Sequence, residues 1–223
     1  MDIENLYNQF NEIFNRAVVN IETLYMKFEA VGLLDGFMER TYAYELYHKL
    51  RYAQEEAGYK EFAIHAEPQK QRTRFFKSII ERLKGENDDP EQIDFQKSVM
   101  PDLLVHVPNN INMNIAMLEV KPEKKQPGKL PEEGQRWNGF PKDIRVIKAF
   151  LDGGQNVRGY YKGISLLYKT DYGFDSESAI KESYSGIIKE TLGDSWNEYK
   201  DRILLLWHSA PGDGIVPIPW YED

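Results

Sequence analysis

The residues PDLLVHV at positions 101–107 and IAMLEVK at positions 115–121 decide the fold of this chain, and an asparagine-rich turn separates them. Both runs are short and apolar, which is typical of β-strands, and the turn between them predicts an antiparallel hairpin. Side chains alternate along a strand, so Glu119 and Lys121 point to the same face. Pairing around the turn then places Asp102 opposite or diagonal to Glu119, and a slip of one residue would turn Asp102 away.

Two carboxylates and an ammonium at one end of a hairpin predict a metal site. Facing Cβ atoms in an antiparallel pair lie about 5 Å apart and diagonal ones about 7–8 Å apart, so Asp102 and Glu119 can share one divalent cation. Mg²⁺ requires such oxygen ligands and fills its remaining positions with water. The alternative is local: Asp102 satisfies backbone N–H groups after a proline, and Glu119 pairs with Lys121 in solvent.

The Pro-Asp pair that opens the first strand and the Glu-Val-Lys that ends the second resemble the signature of the PD-(D/E)xK nuclease superfamily, whose fold is restriction-endonuclease-like. The resemblance extends over about residues 40–206 in the order of elements, and its specificity depends on a few residues. It implies that Asp102, Glu119 and the carbonyl of Val120 bind Mg²⁺, or Mn²⁺, for catalysis. It also implies that Lys121 helps to orient or activate the attacking water. The expected activity is metal-dependent hydrolysis of phosphodiester bonds, with DNA as the expected partner.

Many members of that superfamily add a glutamate from the helix that precedes the sheet, and Glu45 resembles that residue. Glu45 lies on the shoulder of an apolar helical stripe formed by Tyr42, Leu46 and Leu50, from which it can turn toward the edge of the sheet. The resemblance implies a catalytic or metal-binding role for Glu45. The alternative is a surface pair with Lys49, one helical turn later, which stabilises a helix by about 0.2–0.5 kcal/mol.

The 223 residues are enough for one sizeable core with an added helical piece. Apolar residues recur at three- and four-residue steps over 3–31 and predict one long amphipathic helix, and a second helix is predicted over 37–57. We expect these two to form a helical hairpin, with residues 1–35 as an N-terminal extension that can join two copies into a homodimer and residues 36–223 as the core. Further strands are predicted at 61–66, 102–107, 115–121, 159–168 and 202–207, and further helices at 72–84, 142–151 and 176–192. This order predicts an α/β fold with a central mixed β-sheet flanked by helices.

Composition and charge exclude several classes of protein. The chain has no cysteine, so disulfides, thiolate metal sites and a cysteine nucleophile are excluded. It shows no signal-peptide pattern and no apolar run of about 20 residues, which predicts a cytoplasmic protein without a membrane-spanning segment. The motifs of serine hydrolases, P-loop enzymes and dinucleotide-binding enzymes are missing. The net charge of −8 argues against a protein that coats nucleic acid, but a nuclease needs only a local basic groove.

Two basic segments, 70–77 and 121–129, are candidates for such a groove. Phe75 and Phe76 interrupt the first and could stack on bases, but an amphipathic helix start whose aromatic rings enter the core is the simpler interpretation. The second contains proline and glycine and predicts a loop beside the proposed site, for which a solvated run of charges is the alternative. The alternative function for the whole chain is a non-catalytic nucleic-acid-binding or protein-interaction module on the same fold.

A few other polar residues have structural interpretations beside functional ones. Asp143 suits the N-terminal end of a helix, where its charge complements the macrodipole. Gln135 and Lys142 follow the second strand, where a helix could carry a phosphate contact. His65 and His106 lack the spacing of a metal triad with each other. His106 shares a strand face with Asp102, so a contact to water or phosphate is one interpretation, and a packed histidine is the favoured one.

Overall fold

Six strands form a single sheet in the part of the chain that the computed structural model describes, which is residues 2–26, 35–66, 101–132, 137–154, 157–170 and 173–222. The strands are β1 (Ala63–Ala66), β2 (Leu103–His106), β3 (Asn114–Pro122), β4 (Lys162–Tyr168), β5 (Ile203–His208) and β6 (Ile215–Ile218). The helices are α1 (Ile3–Val19), α2 (Thr23–Met26), α3 (Asp35–Ala57), α4 (Gly139–Asp152), α5 (Glu177–Leu192) and α6 (Trp196–Tyr199), with a 3₁₀ turn at Gly193–Ser195. The predicted helix at 72–84, the basic segment at 70–77 and Gln135 lie outside the described residues.

The sheet is mixed, and its strands lie in the order in which they follow one another along the chain. The pairs β1–β2, β2–β3 and β5–β6 are antiparallel, whereas β3–β4 and β4–β5 are parallel. Parallel pairing requires a crossover connection, and α4 and α5 supply these crossovers. β3 and β4 are buried along nearly their whole length, as expected of strands covered on both faces. The predicted α/β class with a central mixed sheet is confirmed.

Two hydrophobic clusters cover the sheet. Residues of α1 and α3 pack with side chains that include Leu118 and Val120 of β3. Residues of α4 and α5 pack with Met117 of the same strand. Because side chains alternate along a strand, Glu119 and Lys121 are in step with Met117 and share the face that α4 covers.

The apolar stripe of α1 is buried within the chain itself. Leu6, Phe10, Ile13 and Phe14 belong to the same hydrophobic cluster as α3 and the sheet. The division of the chain at residue 35 stays a prediction, but α1 is packed into the core beside the sheet. The homodimer also stays a prediction, and the stripe that suggested it has an intramolecular partner.

The predicted single helix over 3–31 is wrong, because the helix ends at Val19. The side-chain amide of Asn20 donates a hydrogen bond of 2.7 Å to the carbonyl of Arg16, and its backbone leaves the helical conformation. Asn20 thereby satisfies one of the carbonyl groups that a helix end leaves without an intrahelical partner. Ile21 is buried just beyond the break. The apolar period therefore continues across the break, which is why the pattern alone predicts one helix.

α3 confirms the second predicted helix. It covers Asp35–Ala57 and ends where Gly58 adopts a φ of 72°, which glycine accepts without strain. Tyr42, Leu46 and Leu50 form its buried stripe, as predicted. No helix in the described ranges is both long and apolar enough to cross a bilayer.

The C-terminal tail folds back over the core and adds a strand that the sequence does not predict. Trp220 is fully buried, and its indole N–H donates a hydrogen bond of 2.9 Å to the carbonyl of Ile203. Pro217 and Pro219 argue against a strand here. β6 nevertheless forms because it lies at the edge of the sheet, where a strand can tolerate a missing N–H.

Candidate functional site

The hairpin of β2 and β3 brings Asp102 beside Glu119. Leu103 pairs with Leu118, so the residue that precedes β2 lies across from the residue that follows Leu118. The Oδ2 atom of Asp102 accepts a hydrogen bond of 2.7 Å from the backbone N–H of Val120. The predicted hairpin and its register at Asp102 are confirmed.

Lys121 is the centre of the charged residues at this end of β3. Its Nζ atom donates a hydrogen bond of 2.6 Å to Oε1 of Glu39 on α3 and lies 3.7 Å from Oδ2 of Asp143 on α4. Glu119 is 5% exposed and Asp143 is 6% exposed, whereas the side chains of Lys121 and Glu39 are 26% and 24% exposed. We call Glu39, Asp102, Glu119, Lys121 and Asp143 the acidic cluster.

The topology of the sheet explains why these elements meet. α4 leads from β3 to the parallel strand β4, so it begins near the carboxyl end of β3. β2 runs antiparallel to β3, so the start of β2 lies beside the carboxyl end of β3. The early part of α3 reaches this end of the strands from the face of the sheet opposite α4, and there Glu39 contacts Lys121. In open α/β sheets, ligands commonly bind outside the carboxyl ends of strands, and the acidic cluster occupies such a position.

Asp102, Glu119 and Asp143 hold their protons more tightly than usual, because their pKa values are raised. Burial raises the pKa of Asp102 to about 7, although the N–H of Val120 and the charge of Lys121 oppose the rise. Burial also raises the pKa of Glu119 well above its usual value, and the carboxylates of Asp102 and Asp143 add to the effect. Burial raises the pKa of Asp143 to about 6, against the opposing charge of Lys121. Shifts of this kind gather at functional sites.

The ammonium of Lys121 stays charged. Burial alone would lower its pKa, but the carboxylates of Asp143, Glu119 and Glu39 outweigh burial and raise it. Among the described residues of the acidic cluster, carboxyl groups outnumber the single ammonium. The cluster therefore lacks positive charge when its carboxyl groups ionise, and a cation would stabilise the ionised form.

The chemistry of these donors suits Mg²⁺, which prefers oxygen ligands and is usually bound through one or two carboxylates with waters in its other positions. An added divalent charge would lower the raised pKa values of Asp102 and Glu119. Across the ranges that the structure describes, no three or more His, Cys, Asp or Glu side chains form a group that could hold a metal ion. Without Glu45, the set that the resemblance implies has two side chains, Asp102 and Glu119, beside the carbonyl of Val120, which is within what Mg²⁺ accepts.

Glu45 lies apart from these contacts. It is buried, and its carboxylate lies 3.1 Å from Nζ of Lys49 and 3.4 Å from Nδ1 of His48. This is the pair with Lys49 that the sequence offered as the alternative. The glutamate of α3 that reaches Lys121 is Glu39, nearly two turns earlier in the helix. A role for Glu45 stays a prediction, and Glu39 matches the expected glutamate from the preceding helix by position.

Asp143 is a member of the site that sequence reasoning placed elsewhere. The sequence predicts Asp143 as a charge at the start of a helix. In the structure it is the fifth residue of α4 and is buried on the same helix as Phe140, Ile144 and Ile147. An aspartate on the apolar face of an amphipathic helix is the signal that could have identified it, because a buried acid requires a partner. Its partner is Lys121.

The other sequence candidates surround the site or lie away from it. Lys142 is partly buried, and its charge opposes the rise in the pKa of the neighbouring Asp143. The side chains of Lys125 and Lys129 are exposed in the loop that follows β3, beside the proposed site. The rings of His65 and His106 stack with centroids 4.9 Å apart on adjacent strands. His106 is partly buried, in line with a packed histidine, whereas His65 is exposed.

Comparisons of the chain with protein-family models, with curated proteins and with solved structures found no match. The functional argument therefore depends on the residues and geometry of the acidic cluster.

Proposed function

We propose that this chain is a Mg²⁺-dependent nuclease of the PD-(D/E)xK type that hydrolyses phosphodiester bonds, with DNA as the expected substrate. The observation that carries the proposal is that the β2–β3 hairpin brings Asp102 beside Glu119 and Lys121 at one end of these strands. Buried carboxylates that lack sufficient counter-charge destabilise a fold. A group of them at the carboxyl end of a strand is therefore expected to have a role in binding or chemistry.

The order of elements supports the restriction-endonuclease-like fold that we propose for the core. Helix α3 is followed by the antiparallel strands β1, β2 and β3, then by the crossover helix α4 and the parallel strand β4. The Pro-Asp pair stands at the start of β2 and the Glu-Val-Lys at the end of β3, as the resemblance implies.

Each residue of the cluster has a distinct part in the proposed reaction. Asp102, Glu119 and the carbonyl of Val120 would hold Mg²⁺, which when bound supplies a Lewis acid for the scissile phosphate and lowers the pKa of a coordinated water. Lys121 remains protonated and stabilises negative charge that develops on the phosphoryl oxygens. Glu39 and Asp143 approach the ammonium of Lys121 from two helices and fix its position.

A polyanionic substrate also needs cations that offset the negative charge of the cluster. Lys125 and Lys129 are exposed in the loop after β3, and Lys142 lies at the start of α4. We expect their ammonium groups to contact phosphates on either side of the scissile bond.

The test of the proposal is a panel of end-labelled DNA and RNA, single- and double-stranded, incubated with Mg²⁺, Mn²⁺ or EDTA. We expect cleavage of at least one DNA substrate with either metal and none in EDTA, because the carboxylates alone supply neither the Lewis acid nor the activated water. Binding of nucleic acid without cleavage under every metal condition would instead favour the non-catalytic module on the same fold.

The Glu39→Gln substitution should reduce cleavage more than Glu45→Gln. Glu39 makes a charge-assisted hydrogen bond to Lys121, and such bonds contribute about 1.5–3 kcal/mol, or roughly 10- to 150-fold in rate. Glu45 loses only its pair with Lys49, and we expect a change of less than about threefold. Steady-state cleavage rates of the two variants, measured at equal fold stability, decide which glutamate of α3 serves the site. A larger loss in Glu45→Gln would restore the assignment that the resemblance implies.

A further inference from the structure

Ser165 is a buried hydroxyl in the middle of the sheet. Its side chain is fully buried in β4, and within the described part of the chain its Oγ atom has no hydrogen-bond partner. A buried polar group without a partner destabilises a fold, so native proteins satisfy nearly all such groups. The hydroxyl of Ser165 therefore requires an explanation, and its position in the sheet suggests one.

Ser165 stands beside Glu119. The two residues are partners in the register of the parallel strands β3 and β4. Leu166 packs with residues of α1 and α3, whereas Leu167 packs with residues of α4 and α5. Because side chains alternate along a strand, Ser165 is in step with Leu167 and shares the face of Glu119, which α4 covers. Asp102 flanks Glu119 on its other side, so a line of three polar side chains crosses the sheet here.

The spacing of the strands puts this hydroxyl within reach of the Glu119 carboxylate. Neighbouring strands lie about 4.7–4.9 Å apart, and partners on one face project side by side. The Oγ atom of Ser165 can take each of the staggered positions about χ1, and the longer side chain of Glu119 has further rotatable bonds. Rotation about these bonds brings the hydroxyl to the carboxylate without movement of the backbone. A hydrogen bond from a hydroxyl to a carboxylate is short and strong, because the acceptor is charged.

Close packing of α4 on β4 does not by itself explain the serine. An added Cβ at Gly163, two residues before Ser165, would lie 2.3 Å from Cγ2 of Ile147 on α4, so small residues suit this part of the strand. Alanine is as small as serine and buries no polar atom. The partner of Ser165 on β5 is Leu205, which is apolar. Glu119 is therefore the polar side chain that the register places next to the hydroxyl.

We propose that Ser165 is a positioning residue for the metal site, whose hydroxyl donates a hydrogen bond to the Glu119 carboxylate and fixes its orientation toward a divalent cation. This inference rests on the proposed function and deepens it by adding a residue that acts through a metal ligand. Side chains that hydrogen-bond a metal ligand hold it in its binding orientation, and their loss lowers metal affinity by about 10- to 100-fold.

The test titrates the full chain with Mn²⁺ alone and measures the free ion by electron paramagnetic resonance, so that binding is followed without cleavage. Ser165→Ala should weaken Mn²⁺ binding by about 10- to 100-fold. The melting temperature of this variant in EDTA should not fall, because the hydroxyl that it removes has no partner among the described residues. A serine that serves only the fold would give the opposite pattern, a lower melting temperature with wild-type affinity for Mn²⁺.

Ser185→Ala is the matched control, because it removes another buried hydroxyl that has no partner in the described ranges, on α5 and outside the acidic cluster. We expect wild-type affinity for Mn²⁺ from this control. Ser165→Cys keeps nearly the volume of serine but offers only a weak donor, and Mn²⁺ prefers oxygen ligands to sulfur. This variant should bind Mn²⁺ nearly as weakly as Ser165→Ala. Wild-type affinity in Ser165→Cys would show that the site needs the volume of the side chain rather than its hydrogen bond, and would overturn the proposal.

The proposal is also overturned if Ser165→Ala binds Mn²⁺ with wild-type affinity, or if Ser185→Ala loses as much affinity as Ser165→Ala. These outcomes are separate from the proposed nuclease activity, because Mn²⁺ binding does not require cleavage. Mn²⁺ binding that depends on Ser165, in a protein that cleaves no nucleic acid, supports the role of Ser165 and overturns the nuclease. Cleavage by a wild-type protein whose Mn²⁺ affinity does not depend on Ser165 overturns that role and supports the nuclease.

Discussion

Replacing Glu119 with glutamine should reduce metal-dependent cleavage at least about 10³-fold while the protein stays folded. A carboxylate that holds the metal contributes to several kcal/mol of transition-state stabilisation, and about 4 kcal/mol corresponds to this loss in rate. Glutamine has the same shape as glutamate and no charge. Because burial already raises the pKa of Glu119, the fold favours the neutral form of this side chain, and the substitution should not destabilise it.

The measurement is the single-turnover rate with Mg²⁺ at about pH 8, together with thermal unfolding of the same samples. Glu182→Gln is the matched control, because it makes the same chemical change at a residue that is exposed on α5, outside the acidic cluster. We expect the control to cut at the wild-type rate. Cleavage by Glu119→Gln within about tenfold of the wild-type rate would exclude the proposed metal site, and a Glu119→Gln protein that unfolds would show that Glu119 is needed for structure.

The pair Asp102 and Glu119 could be predicted from sequence because a hairpin is a local structure. The two apolar runs, the turn between them and the alternation of side chains determine the register, and few other pairings keep both strands buried. The observed pairing of Leu103 with Leu118 follows from these local rules. The same rules predict that Glu119 and Lys121 share a face, so three of the five cluster residues were accessible without tertiary information.

Glu39 and Asp143 could not be placed in the same way, because their contact with Lys121 depends on how two helices pack across the sheet. Helical periodicity assigns a residue to a face of its own helix but does not state which end of which strand that face meets. Glu45 shows the limit of helical periodicity as a predictor. Its position on the helical wheel is compatible with a role in the site, but its carboxylate pairs with Lys49. The missed break at Asn20 has another cause: a side-chain cap ends a helix without interrupting its apolar period.

In metal-free buffer, ionisation of Asp102 should decrease the free energy of unfolding by about 1 kcal/mol as the pH rises from about 6.5 to about 8.5. Burial raises the pKa of Asp102 to about 7 in the folded protein, and the carboxylates of Glu39 and Asp143 add to the rise. In the unfolded chain the same carboxyl has its ordinary pKa near 4 and has lost its proton throughout this range. The folded state therefore binds more protons, so the stabilisation is complete below the unfolded pKa and is lost as the pH rises through about 7.

Histidines oppose part of the effect at the lower end of this range. Burial lowers the pKa of His208 to about 4, so near pH 6.5 only the unfolded chain binds a proton at this ring, and its release adds about 0.4 kcal/mol to the free energy of unfolding by pH 8.5. Burial also raises the pKa of Glu123 to about 7, and this carboxyl, just beyond β3 and outside the acidic cluster, acts in the same direction as Asp102. Asp102→Asn should therefore make the decrease shallower without abolishing it.

The response of stability to Mg²⁺ distinguishes the acidic cluster from Glu123. A cation that binds the ionised carboxylates of Asp102 and Glu119 competes with protons, so it should stabilise the fold more at about pH 8.5 than at about pH 6.5. At the higher pH we expect Mg²⁺ to raise the melting temperature by several degrees, since about 1 kcal/mol corresponds to about 2–4 °C in a domain of this size. Asp102→Asn should reduce that shift and Glu123→Gln should leave it unchanged, as measured by thermal unfolding with Mg²⁺ and with EDTA. A melting temperature that responds to Mg²⁺ equally at both pH values, or equally in wild type and Asp102→Asn, would show that the acidic cluster does not bind the ion.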